Sequence, residues 1–374
     1  MSNTELNTKK ILIMAGGTGG HVFPALAVAR FFHGYGAGIS WLGTKKGIES
    51  RIISQEEFID LHYLTVAGLR GQGFKRLLTA PFKLMLACWQ AANTLRHVKP
   101  DLVLGMGGFT SGPGGLMAWL MGYPLVIHEQ NAVPGFTNRV LSKFAQLVLQ
   151  AFPGTFMGLP TDKSRVTGNP VRKEIEMLSE PEERFNKRAE QKEINILVLG
   201  GSQGAQALNE LVPQALAQIT KASSDGKRSL NIWHQAGRNK DETTVSLYEQ
   251  LNVEAKVEPF ISNMATAYHW ADLVIARSGA LTVSEIQQAG IGAIFVPYPA
   301  AVDDHQTQNA RFLQKEGAAL VVAQKELDIQ KLIDLLAPLL DRKKLKTMAQ
   351  AAKNSAPVNA TETVVNACLE AARA

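Results

Sequence analysis

Ile11–Ala15 is a short apolar run that empties into Gly16-Gly17-Thr18-Gly19-Gly20-His21, and this junction restricts the possible folds more than any other stretch. A short, continuous apolar run suits a strand buried on both faces of a parallel sheet. The glycines lack the side chains that would hold a ligand off the backbone. His21 opens an expected helix, with Pro24 tolerated in its first turn. A glycine turn feeding a helix N-terminus offers N–H groups and the positive end of the helix dipole to phosphate or pyrophosphate. The same turn also serves as a plain strand-to-helix connection, so the ligand reading needs support elsewhere. A dinucleotide fingerprint starting at Gly17 would need glycine where Val22 stands, and the next strand, Ile39–Leu42, ends in Gly43-Thr44 rather than an acid for a ribose. No G-x-x-x-x-G-K-[ST] occurs, which excludes a P-loop.

Further strands are expected near Leu61–Val66 and at Leu102–Leu104, Leu125–His128 and Leu147–Leu149, with helices between them. This alternation is that of a doubly wound parallel sheet. A second glycine loop, Gly105–Gly115, follows the DLVLG strand, and His128-Glu129-Gln130-Asn131 follows another. Strand carboxyl ends are where open α/β sheets bind ligands. After a charged connection broken at Pro181, the pattern restarts: Ile194–Leu199 is a new buried strand, and Gly200-Gly-Ser-Gln-Gly204 repeats the glycine turn. Strands follow at Leu230–His234, Lys256–Phe260, Leu273–Ala276, Ala293–Val296 and Ala319–Val322. The expected fold class is therefore α/β, two doubly wound, Rossmann-like domains facing a cleft. Residues 1–171 form the first and 172–356 the second, with a C-terminal helix in 357–374 packing back on the first.

The chain's 374 residues, 45% hydrophobic and 19% charged, suit an enzyme with two sizeable cores. It has no apolar run long enough to span a bilayer and no apolar leader at its start, which leads to a cytoplasmic expectation. Cys88 and Cys368 are too few for a disulfide framework or a cysteine metal site. The net charge of +6 favours anionic partners, and its distribution is uneven. From Leu61 to Pro100 there is no Asp or Glu, while Arg70, Lys75, Arg76, Lys83, Arg96 and Lys99 stand among Leu69, Phe74, Leu77, Leu78, Phe82, Leu84, Met85, Leu86 and Trp89. Cations mixed with Leu, Phe and Trp make a surface that docks on anionic lipid. The alternative is an amphipathic helix whose apolar side is core, and both are expected to hold in part. Nucleic acid is not expected, because the patch is aliphatic and carries no nucleic-acid motif.

In the second half, Arg277–Glu285 follows the DLVIA strand, with Ser278 and Gly279 making the turn and a helix starting about Ala280. A phosphate fits that N-terminus. Glu285 is placed to accept hydrogen bonds from vicinal ribose hydroxyls, or else is a surface charge. Asp304, His305, Gln306 and Asn309 follow another apolar strand and suit a polyol. Adjacent residues such as Asp303, Asp304 and His305 rarely close a metal site, so no metal is expected.

Taken together, GGTGGH (16–21), WLGT (41–44), GLRG (68–71), GMGGFTSGPGG (105–115), HEQN (128–131), GNPVR (168–172), GGSQGA (200–205), RSGALTVSE (277–285) and DHQTQNA (304–310) resemble the MurG family of peptidoglycan N-acetylglucosaminyltransferases, which have the GT-B fold. The resemblance implies transfer of GlcNAc from UDP-GlcNAc to the 4-hydroxyl of MurNAc in lipid I, giving lipid II with inversion and without a cofactor. It places the enzyme at the cytoplasmic face of the inner membrane, peripheral to it, with cell-wall synthesis and division proteins as further partners. Carried over by motif, Ser202, Ala280, Leu281, Thr282, Val283, Ser284, Glu285 and Arg172 would hold UDP, with the Ile261 backbone at uracil. Asn131 and Gln306 would orient the sugar, and Thr18, Gly19 and Gly20 would lie near the diphosphates. Gly107, Gly108, Ser111, His128 and Asn138 would serve the acceptor. Two departures stand out: Phe109 replaces a tyrosine, and Pro299–Asp303 is one residue longer, which leaves both His305 and Gln306 open as the sugar contact.

Inversion needs one displacement and one base for the acceptor proton. His21 is the first candidate, because an unperturbed imidazole pKa of about 6.5 lies near working pH. Capping the glycine loop or binding the acceptor are its alternative roles, and Glu129 is the second candidate base. Leaving UDP carries its charge on phosphate, where a helix N-terminus and Arg172 can stand in for a divalent ion. Two other functions suit parts of the pattern: a UDP-GlcNAc 2-epimerase of the same fold and a non-catalytic binder of polyprenyl diphosphates.

Overall fold

The computed structural model describes residues 9–65, 74–201, 204–222 and 229–373. Ser202 therefore lies outside the described residues, as do the side chains of Leu69, Arg70, Phe74, Lys75, Arg76, Leu77 and Leu78. The chain divides into two compact units, Met1–Arg172 with Pro357–Ala374, and Lys173–Ala356.

The first unit runs β1 (Lys10–Met14), α1 (Gly19–Gly34), β2 (Gly38–Thr44), α2 (Ile48–Ile52), β3 (Ile59–Leu64), α3 (Phe74–Val98), β4 (Leu102–Gly105), α4 (Ser111–Leu120), β5 (Leu125–Glu129), α5 (Phe136–Leu141), β6 (Leu147–Gln150) and β7 (Ser164–Val166). Its seven strands are ordered β3-β2-β1-β4-β5-β6-β7, and the pairings are parallel. Alternation along β1 shows why the run is apolar throughout. Ile11 and Ile13 join one core with Val22, Phe32 and Trp41, while Leu12 and Met14 join another with Leu95, Val103 and Ile127. Both faces of the strand are covered, as the lack of polar alternation requires. β7 is the strand that sequence patterning missed. It is three residues long, sits at the sheet edge and is largely solvent-facing, so it carries no apolar run.

The second unit runs α6 (Lys173–Glu176), α7 (Pro181–Lys187), β8 (Glu193–Leu199), α8 (Gln206–Ala222), β9 (Ser229–Gln235), α9 (Asp241–Gln250), β10 (Lys256–Glu258), α10 (Met264–Trp270), β11 (Leu273–Ala276), α11 (Ala280–Ala289), β12 (Gly292–Phe295), α12 (His305–Lys315), β13 (Ala319–Val321), α13 (Ile329–Leu336) and α14 (Arg342–Asn354). Its sheet is again parallel, ordered β10-β9-β8-β11-β12-β13. The order reverses beside β1 in one unit and β8 in the other, the topological switch points where such sheets bind ligands. Finally α15 (Ala360–Ala371) returns to the first unit, where Val364, Val365 and Cys368 enter the core around α1.

Helix α3 divides its apolar residues between two faces. Ala87, Ala91 and Leu95 are buried, whereas Phe82, Met85, Leu86 and Trp89, spaced three and four apart, are 43–70% exposed. Such spacing places them on one side of the helix. Among the described residues, no helix is long and apolar enough to cross a membrane.

Candidate functional site

In the first unit, α1 begins at Gly19 with Thr18 as its N-cap, two residues earlier than His21 was expected to open it. The Thr18 carbonyl accepts from the His21 and Val22 N–H groups at 3.1 and 3.2 Å, and Gly17 turns the chain at φ +94°. The glycine turn does not leave all its N–H groups to a ligand. Glu49, fully buried at the start of α2, accepts from Gly17 N–H at 3.1 Å and from the Thr44 N–H and hydroxyl at 2.8 and 2.7 Å. A Cβ at position 16 would lie 2.7 Å from the Glu49 carboxylate, which explains the glycine there. Glu49 was not singled out from sequence, since a lone acid after a strand carries no pattern.

The second glycine loop packs onto the first. A Cβ on Gly108 would meet the Gly16 carbonyl oxygen at 2.2 Å, and one on Gly107 would meet His21 Nδ1 at 2.7 Å. Ser111, completely buried, faces the carbonyls of Gly107 and Met14 at 2.8 and 3.0 Å. Its hydroxyl thus holds the loop to β1.

At the end of β5, His128, Glu129 and Gln130 are all buried. The two candidate bases differ sharply here. Glu129 accepts four hydrogen bonds: from Asn131 N–H and Nδ2 at 3.0 and 3.1 Å, and from Gly135 N–H and Asn138 Nδ2 at 3.0 Å each. Both oxygens are committed to shaping the loop. His21 instead meets Gln130 Oε1 through Nδ1 at 2.9 Å. Gln130 Nε2 reaches His128 Nδ1 at 3.2 Å, and His128 Nε2 lies 3.0 Å from the Gly168 carbonyl. Burial, acting against that carbonyl and the nearby Glu129, pushes the His128 pKa down to about 4. Asn138 also donates to the His128 carbonyl at 3.0 Å. The structure thus gathers His21, Gly107, Gly108, His128, Glu129, Asn131 and Asn138 at one end of the sheet. Gln130, quoted in the motif but given no role, is the link among them. The Arg172 guanidinium lies over the Phe23 ring at 5.0 Å.

In the second unit, Gly279 caps α11 from extended backbone, and no acid stands in the helix's first turn. Ala280, Val283, Ser284 and Glu285 are buried, while Leu281 and Thr282 are partly accessible. Glu285 is not a surface charge: it is 3% exposed and accepts from the Tyr268 hydroxyl at 3.1 Å. Tyr268, on α10, could not be anticipated from the motif. The far end of α11 is fixed by Arg184, whose Nη2 donates to the carbonyls of Ala289 and Gly290 at 2.6 and 2.5 Å. A cation there complements the helix dipole. The Ile261 N–H donates to Gln235 Oε1 at 3.0 Å, which leaves the carbonyl as that residue's backbone group for a base. Gln306 Oε1 accepts from Tyr298 N–H at 2.9 Å. Arg277 braces the neighbouring loop through the Val296 carbonyl at 2.9 Å and Gln324 Oε1 at 2.5 Å.

Residues 11–150 match the glycosyltransferase family 28 N-terminal domain, and residues 195–364 match the family 28 C-terminal domain. The chain is 51% identical, over 99% of each sequence, to the UDP-N-acetylglucosamine–N-acetylmuramyl-(pentapeptide) pyrophosphoryl-undecaprenol N-acetylglucosamine transferase of Marinobacter nauticus. The enzyme of the same name from Cellvibrio japonicus is 51% identical over 98% of this chain and 99% of its own. The crystal structure of Acinetobacter baumannii MurG superposes with a TM-score of 0.83 at 42% identity, covering 97% of this chain and 99% of that one. The Neisseria meningitidis UDP-GlcNAc 2-epimerase, at 14% identity and a TM-score of 0.67, shares the fold alone. Two parallel Rossmann-like units, both family 28 domains and near full-length identity to these transferases establish the GT-B fold and show that the chain belongs to the MurG family of N-acetylglucosaminyltransferases.

Proposed function

We propose that this chain transfers GlcNAc from UDP-GlcNAc to the 4-hydroxyl of the MurNAc residue of lipid I, with inversion, to give lipid II. The observation that carries this reading is the identity, over nearly the whole length, to enzymes named for that transfer. In one displacement the bond from the sugar's anomeric carbon to the UDP oxygen breaks, the bond from the acceptor oxygen forms, and the acceptor proton passes to a base. His21 is that base. Glu129 has its lone pairs committed to four N–H donors, whereas His21 is partly buried at a helix N-terminus and, among the described residues, engaged only through Nδ1.

Donor binding falls to the second unit. The α11 N-terminus with Ala280, Leu281, Thr282, Val283 and Ser284 receives phosphate, Glu285 takes the ribose, and the Ile261 carbonyl takes uracil. Asn131, Arg172, Ser202 and Gln306, with Thr18, Gly19 and Gly20, complete the donor contacts. Gly107, Gly108, Ser111, His128 and Asn138 shape the acceptor side, the last three from buried positions. The outward face of α3, with Phe82, Met85, Leu86 and Trp89 exposed beside Lys83, supports docking on anionic lipid at the cytoplasmic side of the inner membrane. Cell-wall synthesis and division proteins are the further partners this placement suggests.

The test is a transfer assay with labelled UDP-GlcNAc and a lipid I analogue in the presence of EDTA. Label should pass to the lipid only when both substrates are present. UDP-GlcNAc consumed without acceptor would instead indicate an epimerase, and UDP binding without turnover a non-catalytic binder.

A further inference from the structure

Gln130 stands between two imidazoles, and the chemistry of its neighbours dictates where each proton sits. The Gly168 carbonyl oxygen, 3.0 Å from His128 Nε2, can only accept, so that nitrogen carries a hydrogen. His128 is fully buried, and its pKa, pushed down to about 4, leaves the ring with a single proton at neutral pH. Its Nδ1 is then a bare lone pair, which only a donor can face. Gln130 must turn its NH2 group toward His128, as the 3.2 Å contact has it; the opposite amide orientation would set oxygen against a lone pair. The amide oxygen therefore faces His21 Nδ1 at 2.9 Å, and that nitrogen must donate. Neutral His21 is left with its lone pair on Nε2.

We propose that Gln130 is a positioning residue for transfer: its amide, oriented by buried His128, holds His21 in the tautomer that carries hydrogen on Nδ1 and presents Nε2 to the acceptor hydroxyl. The proposal rests on the reading of His21 as the base. The amide is itself fixed on both sides. Gln130 is 1% exposed, and its backbone carbonyl accepts from Asn169 Nδ2 at 2.9 Å. A side chain at position 107 would press on the His21 ring, and glycine there leaves the ring its place beside Gln130. The titratable groups acting on His128 are Glu129, its neighbour on β5, and His21. Gly107, Asn138, Gly168 and Asn169, contributed by other segments packed around the relay, carry no charge. This arrangement does for His21 what an orienting carboxylate does in a Ser-His-Asp triad, but with a neutral amide.

The experiment is ring-nitrogen NMR on the full chain labelled with ¹⁵N-histidine, at about pH 8, where ordinary imidazoles are neutral. The expected spectrum has His21 protonated at Nδ1 and bare at Nε2, with His128 the reverse. In Gln130→Met, similar in length but at best a weak acceptor, His21 should shift toward the Nε2–H tautomer. Its kcat should fall ~10–10²-fold, because loss of the correct tautomer costs as much as about 10⁴ in a serine protease triad. KM for UDP-GlcNAc should hold. Gln130→Glu keeps an acceptor toward His21 and adds a charge that favours imidazolium, so it should move the acidic limb of the rate profile to higher pH, while its second oxygen, set against the His128 lone pair, keeps kcat below the parent's. A residue that only filled space would let Gln130→Met keep the parent's kcat, acidic limb and His21 tautomer. Hydrogen on His21 Nε2 in the parent overturns the proposal, and this readout needs no variant to fold. Failure of the base reading appears separately, as a His21→Ala variant that keeps its rate while the parent spectrum still shows the Nδ1–H form.

Discussion

At the turn from β1 into α1, a buried carboxylate takes up the Gly17 N–H, and the first helical turn presents an imidazole backed by Gln130 and His128. At the turn from β11 into α11, no acid stands in the first turn, and the carboxylate further along, Glu285, is held by Tyr268. Both are strand–glycine–helix junctions on parallel sheets. On the function proposed above, the first orients a base, and the second offers a helix N-terminus to phosphate and an acid to a ribose. The difference teaches that a glycine turn does not declare its chemistry. What reaches it from elsewhere in the fold does so: Glu49 and Gln130 in the first unit, Tyr268 in the second.

The comparison can be broken most directly at His21. His21→Ala should lower kcat by about 10²–10⁴-fold, with UDP affinity by calorimetry little changed. Loss of UDP affinity of similar size would erase the division between the two turns.

A second expectation concerns acid stability, where the buried rings of both units act alike. Burial holds His128 down to about 4 and His234, hydrogen-bonded to Tyr248 and Asn209, down to about 3. Both fold neutral but take up a proton near pH 6.5 once unfolded. Their contribution is therefore complete above about pH 6.5 and is lost as pH falls toward 4 and 3, at a scale of roughly 3 kcal/mol or more per ring. Denaturant titrations at pH 7 and 4.5 should show this loss. His234→Gln should reduce the slope, and an unchanged slope would remove His234 from the account.

Glu285→Ala should weaken UDP by roughly 1.5–3 kcal/mol, the scale of hydrogen bonds to a charged group. An unchanged dissociation constant in calorimetry would sink the ribose assignment. The smallest effect on chemistry is expected at α3. Met85→Ser with Trp89→Ser should release the protein from anionic vesicles while turnover of a short-chain, soluble acceptor stays near the parent's. Equal vesicle binding would count against the lipid-facing surface.

Much of the fold was legible because strands such as β1, β4, β11 and β12 are buried along nearly their whole length and so announce themselves as apolar runs. β7 escaped because an edge strand with Ser164 and Arg165 has nothing to bury. Within the candidate site, the glycines and His21 were legible since backbone freedom and an imidazole leave marks in one segment. Glu49 and Tyr268 were not: each acts across the fold on a residue distant in sequence, and a lone acid or a lone aromatic has no local pattern. Gln130 was visible as a letter of HEQN, but its role depends on the imidazole that α1 brings to one end of its amide, while His128, two residues earlier on β5, meets the other.

The central claim is that His21 accepts the acceptor proton, and the pH dependence of kcat/KM for parent and His21→Ala tests it most directly. The account predicts an acidic limb in the parent that disappears in the variant, since that limb reports the free base becoming protonated. A variant that keeps near-normal turnover and the parent's acidic limb would contradict the claim and return the role to Glu129.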